Sequence, residues 1–223
     1  SENTAKPIYT GSLYEIEDGV FKIIAIDGYR MAIRSENVDS ESKNRFVVPG
    51  KTQHEVLKLL TDDEENTEII IGQRHITFKI KNYRIISRLI EGTFIEYKSA
   101  IPKETKTEVV INTRTIIDAV ERMSLLNNDR IQSPVRCIFS DDEIKLSCTS
   151  AVGRANDVIS VPIIGESVEI GFNNRYLLDA LKNADTDEIK LILNGSLTAM
   201  IVKPVKGDSY LSIVVPMRLA NEN

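Results

Sequence analysis

The sequence predicts an α+β protein in which short β-strands dominate and two similar domains follow one another. Most of the chain consists of runs with period-two hydrophobicity separated by turn signals, which is typical of antiparallel strands. Only three segments carry the stripe of apolar residues expected of a helix. The order of elements repeats after roughly 122 residues, and 223 residues are enough for two small domains with real cores.

The first half opens with a three-stranded meander over residues 13–34, because Asp-Gly pairs at 18–19 and 27–28 each lie between β-rich runs. A further strand is predicted over residues 45–48. Pro49-Gly50 then leads into a helix in which Val56, Leu57 and Leu60 form an apolar stripe and Thr52 is a suitable N-cap. Three more strands are predicted between residues 68 and 90.

The second half repeats this order. Residues 136–161 form another meander, and residues 168–185 read as a strand that enters a helix capped by Asn173 or Asn174. Residues 188–204 and 209–216 close this half with further strands, and the last one stops at Pro216, which has no N–H to donate to a ladder. The steady offset with different residue identities indicates a structural duplication rather than a short-period repeat.

One difference between the halves concerns their beginning. The second copy starts with a strand over residues 107–111 and a helix over residues 112–126, whose counterparts would precede residue 1. We therefore expect a fragment with one domain over residues 1–101, lacking its first strand and helix, and a complete domain over residues 102–223.

Composition limits the classes of function. Hydrophobic residues make up 42% of the chain, charged residues 27%, and the net charge is −5, so bulk attraction to nucleic acid is not expected. Cys137 and Cys148 alternate with apolar residues and are expected to be buried, reduced thiols. With two cysteines and two histidines at no ligand spacing, we expect no metal and no cofactor. No signal peptide or membrane-spanning run is visible, which favours a soluble cytoplasmic protein.

An enzymatic alternative rests on Gly50-Lys51-Thr52, which follows a strand and opens a helix as a phosphate-binding loop does. That loop also needs a glycine at position 45, where this chain has arginine, and Pro49 removes a backbone N–H from the cradle. A turn into a helix is the better interpretation. A nucleotide-binding enzyme stays a second hypothesis, but no set of catalytic residues converges, so we expect no enzyme.

Five segments resemble the family of bacterial sliding clamps, the beta subunit of DNA polymerase III. They are IDGYRMAIR (26–34), FVVPGK (46–51), SRLIEGTFIEY (87–97), VEIGFNNRYLLDAL (168–181) and VVPMRL (214–219). The resemblance runs in order over nearly the whole chain and covers the family's second and third domains. It implies a clamp fold with antiparallel sheets outside and helices on the inner face.

The function that this resemblance implies is that of a non-catalytic processivity factor. In the family, two subunits with three domains each close head to tail into a ring around duplex DNA. The ring tethers the polymerase without reading sequence. Because the first domain has no counterpart here, the chain as given is expected to be a monomer, and ring closure belongs to the full-length parent. A β-rich adaptor that never encircles DNA is the alternative.

The resemblance also implies a groove between the second and third domains. In the family, this groove docks a short linear motif of the polymerase III alpha subunit, the clamp loader and other proteins. The matching positions include Tyr29 and Ile95, where the family often has histidine and proline. The full set is Tyr9, Ile26, Gly28, Tyr29, Arg30, Met31, Ile95, Asn173, Tyr176, Leu197, Ala199, Ile213, Val214, Val215, Pro216, Met217 and Arg218. We expect the tail after Pro216 to be exposed, with no other element to pack against.

Cations on the three helices are the candidates for loose contact with DNA phosphates. An ordinary solvated helix face explains each of them equally well. They are Lys51 and Lys58 on the first helix, Arg114 and Arg122 on the second, and Arg175 and Lys182 on the third.

Overall fold

The computed structural model describes residues 6–61, 66–126 and 133–219. They fall into two compact units, one with residues 6–27, 33–61 and 66–96 and the other with residues 28–32, 97–126 and 133–219. The first half contains β1 (Gly11–Glu17), β2 (Val20–Ile26), β3 (Arg30–Asn37), β4 (Asn44–Pro49), α1 (Gly50–Leu59), β5 (Glu68–Ile71), β6 (His75–Ile80) and β7 (Tyr83–Arg88). The second half contains β8 (Thr107–Asn112), α2 (Thr113–Ser124), β9 (Val135–Ser140), β10 (Glu143–Ser150), β11 (Gly153–Ser160), β12 (Ile163–Gly165), β13 (Val168–Phe172), α3 (Asn174–Lys182), β14 (Glu188–Leu193), β15 (Met200–Pro204) and β16 (Tyr210–Val214).

The first unit consists of two antiparallel sheets and one helix. Its strands are ordered β3-β2-β1-β4 in one sheet, to which β3 contributes from Ile33 onward, and β5-β6-β7 in the other. Helix α1 packs on β1, β4 and β7. The core between them contains Tyr14, Val48, Val56, Ile76 and Phe78. Alternation along β6, where Ile76, Phe78 and Ile80 are buried, is the period-two pattern that the sequence shows.

The second unit has the same plan with additional elements. One sheet is ordered β11-β10-β9-β13, and the other runs β12-β8-β14-β15-β16. Helices α2 and α3 pack against each other. Their apolar faces cover a core that contains Ile116, Val120, Phe172, Leu177 and Leu181.

Two pairs of equivalent contacts support the duplication. The Val38 N–H donates to the Gly19 carbonyl at 2.8 Å, and 123 residues later the Val161 N–H donates to the Asp142 carbonyl at 2.9 Å. An isolated bridge joins Val47 to Ile90 in the first unit, and another joins Gly171 to Met217 in the second. The segment that follows β7 is therefore the counterpart of the tail that follows β16.

The prediction that Thr52 caps α1 is wrong. Pro49 occupies the N-cap position and no side chain caps the helix. Thr52 lies inside the first turn, and its hydroxyl is 2.6 Å from the hydroxyl of Ser87 on β7. Of the two candidate caps of α3, Asn173 is the cap, because its Oδ1 accepts the Tyr176 N–H at 3.2 Å.

Cys137 and Cys148 are both buried free thiols. Burial raises the pKa of the Cys137 thiol to about 12, so this residue is neutral at physiological pH. Within the described ranges, no helix is both long enough and apolar enough to cross a bilayer.

Candidate functional site

Two tyrosines from distant parts of the chain meet in the second unit. Gly28 adopts a φ of +92°, a conformation that glycine tolerates best, and it turns the chain at the start of the segment Gly28–Ala32. The following residue, Tyr29, stacks its ring on that of Tyr176 with a centroid separation of 5.8 Å and an angle of 24°. Tyr29 is 61% exposed, so this stack presents aromatic surface to solvent.

Arg30 lies over the same ring. Its guanidinium carbon is 4.4 Å from the centroid of the Tyr176 ring, which is cation–π geometry. The guanidinium also forms an ion pair with the Asp179 carboxylate. We call Tyr29, Arg30, Tyr176 and Asp179 the tyrosine cluster.

The cap of α3 and a buried tyrosine hold this cluster in place. Asn173 fixes the start of α3, so Tyr176 and Asp179 fall on one face of the helix at a spacing of three residues. The Tyr210 hydroxyl of β16 donates to the Ala180 carbonyl oxygen and lies 2.6 Å from the Ser212 hydroxyl. These bonds fasten α3 to β16, from which the tail continues.

The tail changes its hydrogen-bonding partner at Pro216. The Val215 N–H donates to the Tyr29 carbonyl at 2.9 Å, whereas the Met217 N–H donates to the Gly171 carbonyl of β13 at 2.8 Å. Pro216, which has no N–H, lies between the two contacts. The tail therefore crosses from one sheet of the second unit to the other.

The expectation that the tail has nothing to pack against is wrong. Met217 and Leu219 are half-buried, while Arg218 is exposed. A Cβ built on Gly171 would lie only 2.6 Å from Leu219 Cδ2, so the absence of a side chain at Gly171 gives Leu219 its place. The sequence alone did not reveal this contact, because residues 171 and 219 come from different elements.

The groove residues predicted in the second unit differ in accessibility. Leu197 is 85% exposed, and Val215 is exposed as well. Met31, Ile213 and Val214 are buried. Because these three side chains are buried, a ligand cannot contact them without a rearrangement. They pack beneath the accessible surface of the site. Asn173, Ala199, Pro216 and Met217 are partly exposed.

Three of the predicted groove residues belong to the first unit. The ring of Tyr9 makes an edge-on contact with Phe94, with centroids 5.8 Å apart. Ile95, the next residue, is exposed, and Ile26 at the end of β2 is half-buried.

Most of the helix cations that the sequence singled out have acidic partners. Lys58 pairs with Glu55 at 2.8 Å, and Arg114 pairs with Asp118 at 2.8 Å. Arg122 pairs with Asp157 of β11, and Lys182 pairs with Glu121 at 2.5 Å. The Lys182 ammonium holds the pKa of the Glu121 carboxyl below its usual range. Lys51 and Arg175 are exposed, and no ion pair is formed by either within the part of the chain that the structure describes.

Sequence reasoning missed Asp179, which pairs with Arg30. The spacing of Tyr176 and Asp179 on a predicted helix is a signal that they share a face. The pairing with Arg30 depends on a contact across 149 residues and has no local signal.

Family models match both halves of the chain. The model described as DNA polymerase III beta subunit, central domain, matches residues 1–96. The model for the C-terminal domain of the same subunit matches residues 98–218, which is more than half of the chain. The chain belongs to the DNA polymerase III beta subunit family. The clamp fold that the sequence predicted is confirmed.

Curated relatives and solved structures agree with this assignment. The beta sliding clamps of Halalkalibacterium halodurans and Bacillus subtilis are each 30% identical to the chain over 98% of its length. The crystal structure of the Bacillus subtilis sliding clamp superposes with a TM-score of 0.95 at 29% identity and covers 99% of this chain. The beta subunit structure from Pseudomonas aeruginosa gives a TM-score of 0.92 at 28% identity, covering 98% of this chain and 61% of its own. The chain spans 59% of the length of the two curated relatives.

Proposed function

We propose that the chain is the central and C-terminal part of a bacterial sliding clamp, a non-catalytic processivity factor of the replicative DNA polymerase in the cytoplasm. Residues 1–101 form the second clamp domain and residues 102–223 the third. The observation that carries the proposal is the match of both halves of the chain to beta-subunit domains. The tyrosine cluster, to which the tail is bonded at Val215, offers the exposed aromatic surface that suits a site for linear peptide motifs.

The ligand of this site is a short peptide in which a glutamine is followed by leucine or aromatic residues. Tyr29, Leu197 and Val215 offer exposed apolar surface, and Met217 adapts to different partners. The partners are the polymerase III alpha subunit, the clamp loader and other proteins that carry the motif. That Tyr9, Ile26 and Ile95 of the first unit also line the groove stays a prediction.

Contact with duplex DNA is loose in this proposal. The predicted DNA-facing residues are Lys51, Lys58, Arg114, Arg122, Arg175 and Lys182, and the acidic partners of four of them reduce the charge that phosphates meet. A weak, sequence-independent attraction allows sliding. Retention on DNA then comes from a closed ring rather than from affinity.

Comparison of the two units supports the assignment of the first domain. In the second unit, β8 pairs with β14 and α2 packs on α3. The counterpart of β14 is β5, which lies at the edge of its sheet. The counterpart of α3 is α1, which exposes 66% of Leu57. A further strand beside β5 and a further helix beside α1 would complete the domain.

Ring closure requires the full-length parent, in which the third domain of one subunit joins the first domain of the other to make a homodimer. Purified full-length protein is loaded onto nicked circular DNA by its clamp loader, and half of the sample is then linearised. We expect the clamp to stay on circles and to be lost from linear DNA at 200 mM salt. Equal retention on both forms contradicts an encircling clamp and favours an adaptor that binds without a ring.

A further inference from the structure

Asn194 and Gly195 are the one Asn-Gly pair of the sequence. They begin the loop that joins β14 to β15, and residues 194–199 of this loop lie outside any helix or strand. Asparagine is one of the chemically labile residues of proteins. A following glycine leaves no side chain beside the backbone nitrogen that can attack the asparagine amide. The pair therefore has the sequence and the setting of a deamidation site.

The side-chain amide of Asn194 is weakly held. Its Nδ2 donates to the Glu104 carboxylate at 3.4 Å, which is longer than the usual distance of about 2.9 Å. Its Oδ1 is buried, and it has no hydrogen-bond partner among the residues that the structure describes. An unpaired buried oxygen adds nothing to the stability of this rotamer. Few contacts therefore oppose rotation of the amide toward Gly195.

The attacking group is also unrestrained. Within the described ranges, the Gly195 N–H donates to no backbone carbonyl. Gly195 has a φ of +88°, and a Cβ built there would have no heavy atom of a non-adjacent residue within 4 Å. The side of the turn on which a side chain would lie is therefore open. The nucleophile and its target are neighbours in sequence, and no strong contact fixes either of them.

We propose that Asn194 is a site of spontaneous modification, at which deamidation gives the β14–β15 loop an additional negative charge over time. The backbone nitrogen of Gly195 attacks Cγ of Asn194, the Cγ–Nδ2 bond breaks, and the backbone proton leaves with Nδ2 as ammonia. Water then opens the five-membered imide at one of its two carbonyls. The products are aspartate and isoaspartate, and each carries a carboxylate in place of the amide.

The new carboxylate lies next to Glu104. The amide that it replaces donates a hydrogen bond to that residue, whereas two carboxylates in the same place repel each other. The Lys106 N–H donates to the Leu193 carbonyl at 3.0 Å, so a second bond joins the same two segments. Modification of Asn194 should therefore loosen the contact between the start of the β14–β15 loop and the segment that precedes β8.

Incubation of the 223-residue chain at 37 °C, followed by peptide mapping with mass spectrometry, measures the reaction. The peptide that contains Asn194 should gain about 1 Da and separate into an aspartate and an isoaspartate form. Asn82 is an exposed turn residue that precedes tyrosine and serves as the internal control. We expect Asn194 to react at least about tenfold faster than Asn82, which corresponds to about 1.4 kcal/mol in the barrier. The rate should rise from pH 7 to pH 9, because the backbone nitrogen attacks after it loses its proton.

Four variants test the reaction and its structural consequence. Asn194→Gln keeps an amide but requires a six-membered ring, so it should give no product over the same period. Asn194→Asp imitates one product and should speed hydrogen exchange of the Lys106 amide at least about threefold. The double variant Asn194→Asp with Glu104→Gln should restore slow exchange, because the repulsion is removed. Asn82→Asp is the matched control, since it adds the same charge in the first unit.

The outcomes separate the modification from its effect on the loop. Reaction at Asn82 as fast as at Asn194, or no product at Asn194 after four weeks, overturns the proposal. A product in Asn194→Gln at the rate of the unmodified chain also overturns it, because the mass gain then comes from another residue. Equal exchange of the Lys106 amide in Asn194→Asp and in the unmodified chain contradicts the loosened contact.

Discussion

The backbone N–H of Met217 donates a hydrogen bond to the carbonyl oxygen of Gly171, with 2.8 Å between nitrogen and oxygen. This bond joins the end of the chain to β13, the strand that leads directly into α3. The start of α3 carries Tyr176, so the tail and the tyrosine cluster are linked through one strand and one helix cap.

Gly171→Ala should displace the tail. The new Cβ would lie 2.6 Å from Leu219 Cδ2 and 2.9 Å from the Met217 carbonyl oxygen, so Leu219 has to leave. We expect affinity for a peptide in which a glutamine is followed by leucine and aromatic residues to fall about tenfold, which corresponds to about 1.4 kcal/mol. Anisotropy titration measures the loss. Gly72→Ala in the first unit is the control, because its Cβ would meet only the His75 carbonyl at 3.2 Å.

Deletion of residues 217–223 should weaken peptide binding about tenfold or more, because Met217 and Arg218 are lost from the site. The Met217 hydrogen bond and the Leu219 contact with Gly171 are lost as well, so the free energy of unfolding should fall by about 1–2 kcal/mol. Urea unfolding and peptide titration give the two numbers. A truncated chain that binds at full strength would exclude the tail from the site.

Met31→Ala and Leu197→Ala should distinguish a residue that stabilises the fold beneath the site from a residue that contacts the peptide. Met31 is only 5% exposed, and truncating a buried methionine costs about 2–5 kcal/mol of stability. Leu197 is 85% exposed, so Leu197→Ala should change stability by less than about 0.5 kcal/mol while it weakens peptide binding. Thermal melts and titrations of both variants test this contrast. Unchanged peptide binding in Leu197→Ala would show that Leu197 is not in contact with the peptide.

Binding to a linear 30-base-pair duplex should be weak and steeply dependent on salt. The net charge of −5 opposes approach, and we expect a dissociation constant above about 10 µM at 150 mM NaCl. Lys51→Ala and Arg175→Ala should each lower the slope of log affinity against log salt by about 1 if the residue contacts one phosphate. Lys190→Ala, on β14 and paired with Glu108, is the control. Tight binding or a sequence preference would contradict a sliding surface.

Stability should fall at alkaline pH because two buried groups hold their protons. Burial raises the pKa of Cys137 from 9.0 to about 12 and the pKa of Tyr14 from 10.0 to about 12. Above pH 9 the unfolded chain releases protons that the native chain retains, so the free energy of unfolding decreases as pH rises toward 12. With about 1.4 kcal/mol for each pKa unit, the two groups lower it by about 4 kcal/mol between pH 8 and pH 11.

Urea unfolding at pH 8 and pH 11 measures this decrease. Cys137→Ala and Tyr14→Phe are the control variants, since each removes one titrating group, and each should show a smaller decrease than the unmodified chain. Equal unfolding free energies at the two pH values in the unmodified chain would mean that neither pKa is raised.

The sequence by itself determined the elements and their duplication. Strands such as β6 carry alternating hydrophobicity, and the β1–β2 hairpin turns at the Asp18-Gly19 pair, so their physical causes are local. The equivalence of the two halves was visible because the same order of elements returns after 121–123 residues. The resemblance of five segments to the clamp family indicated which residues belong to the candidate site.

Only the tertiary structure decided which residues of that site are accessible and which pair with one another. Met31, Val214 and Leu197 are all apolar, yet the first two are buried and the third is exposed, because burial depends on which elements pack above a side chain. Thr52 has the residue type of a cap, but the backbone enters α1 at Pro49 and the hydroxyl contacts Ser87 instead. The contacts Arg30–Asp179 and Gly171–Met217 join segments distant in sequence, and no local preference specifies them. Chain folding brings those groups together. The contact of the tail with Gly171 therefore could not be predicted from the sequence.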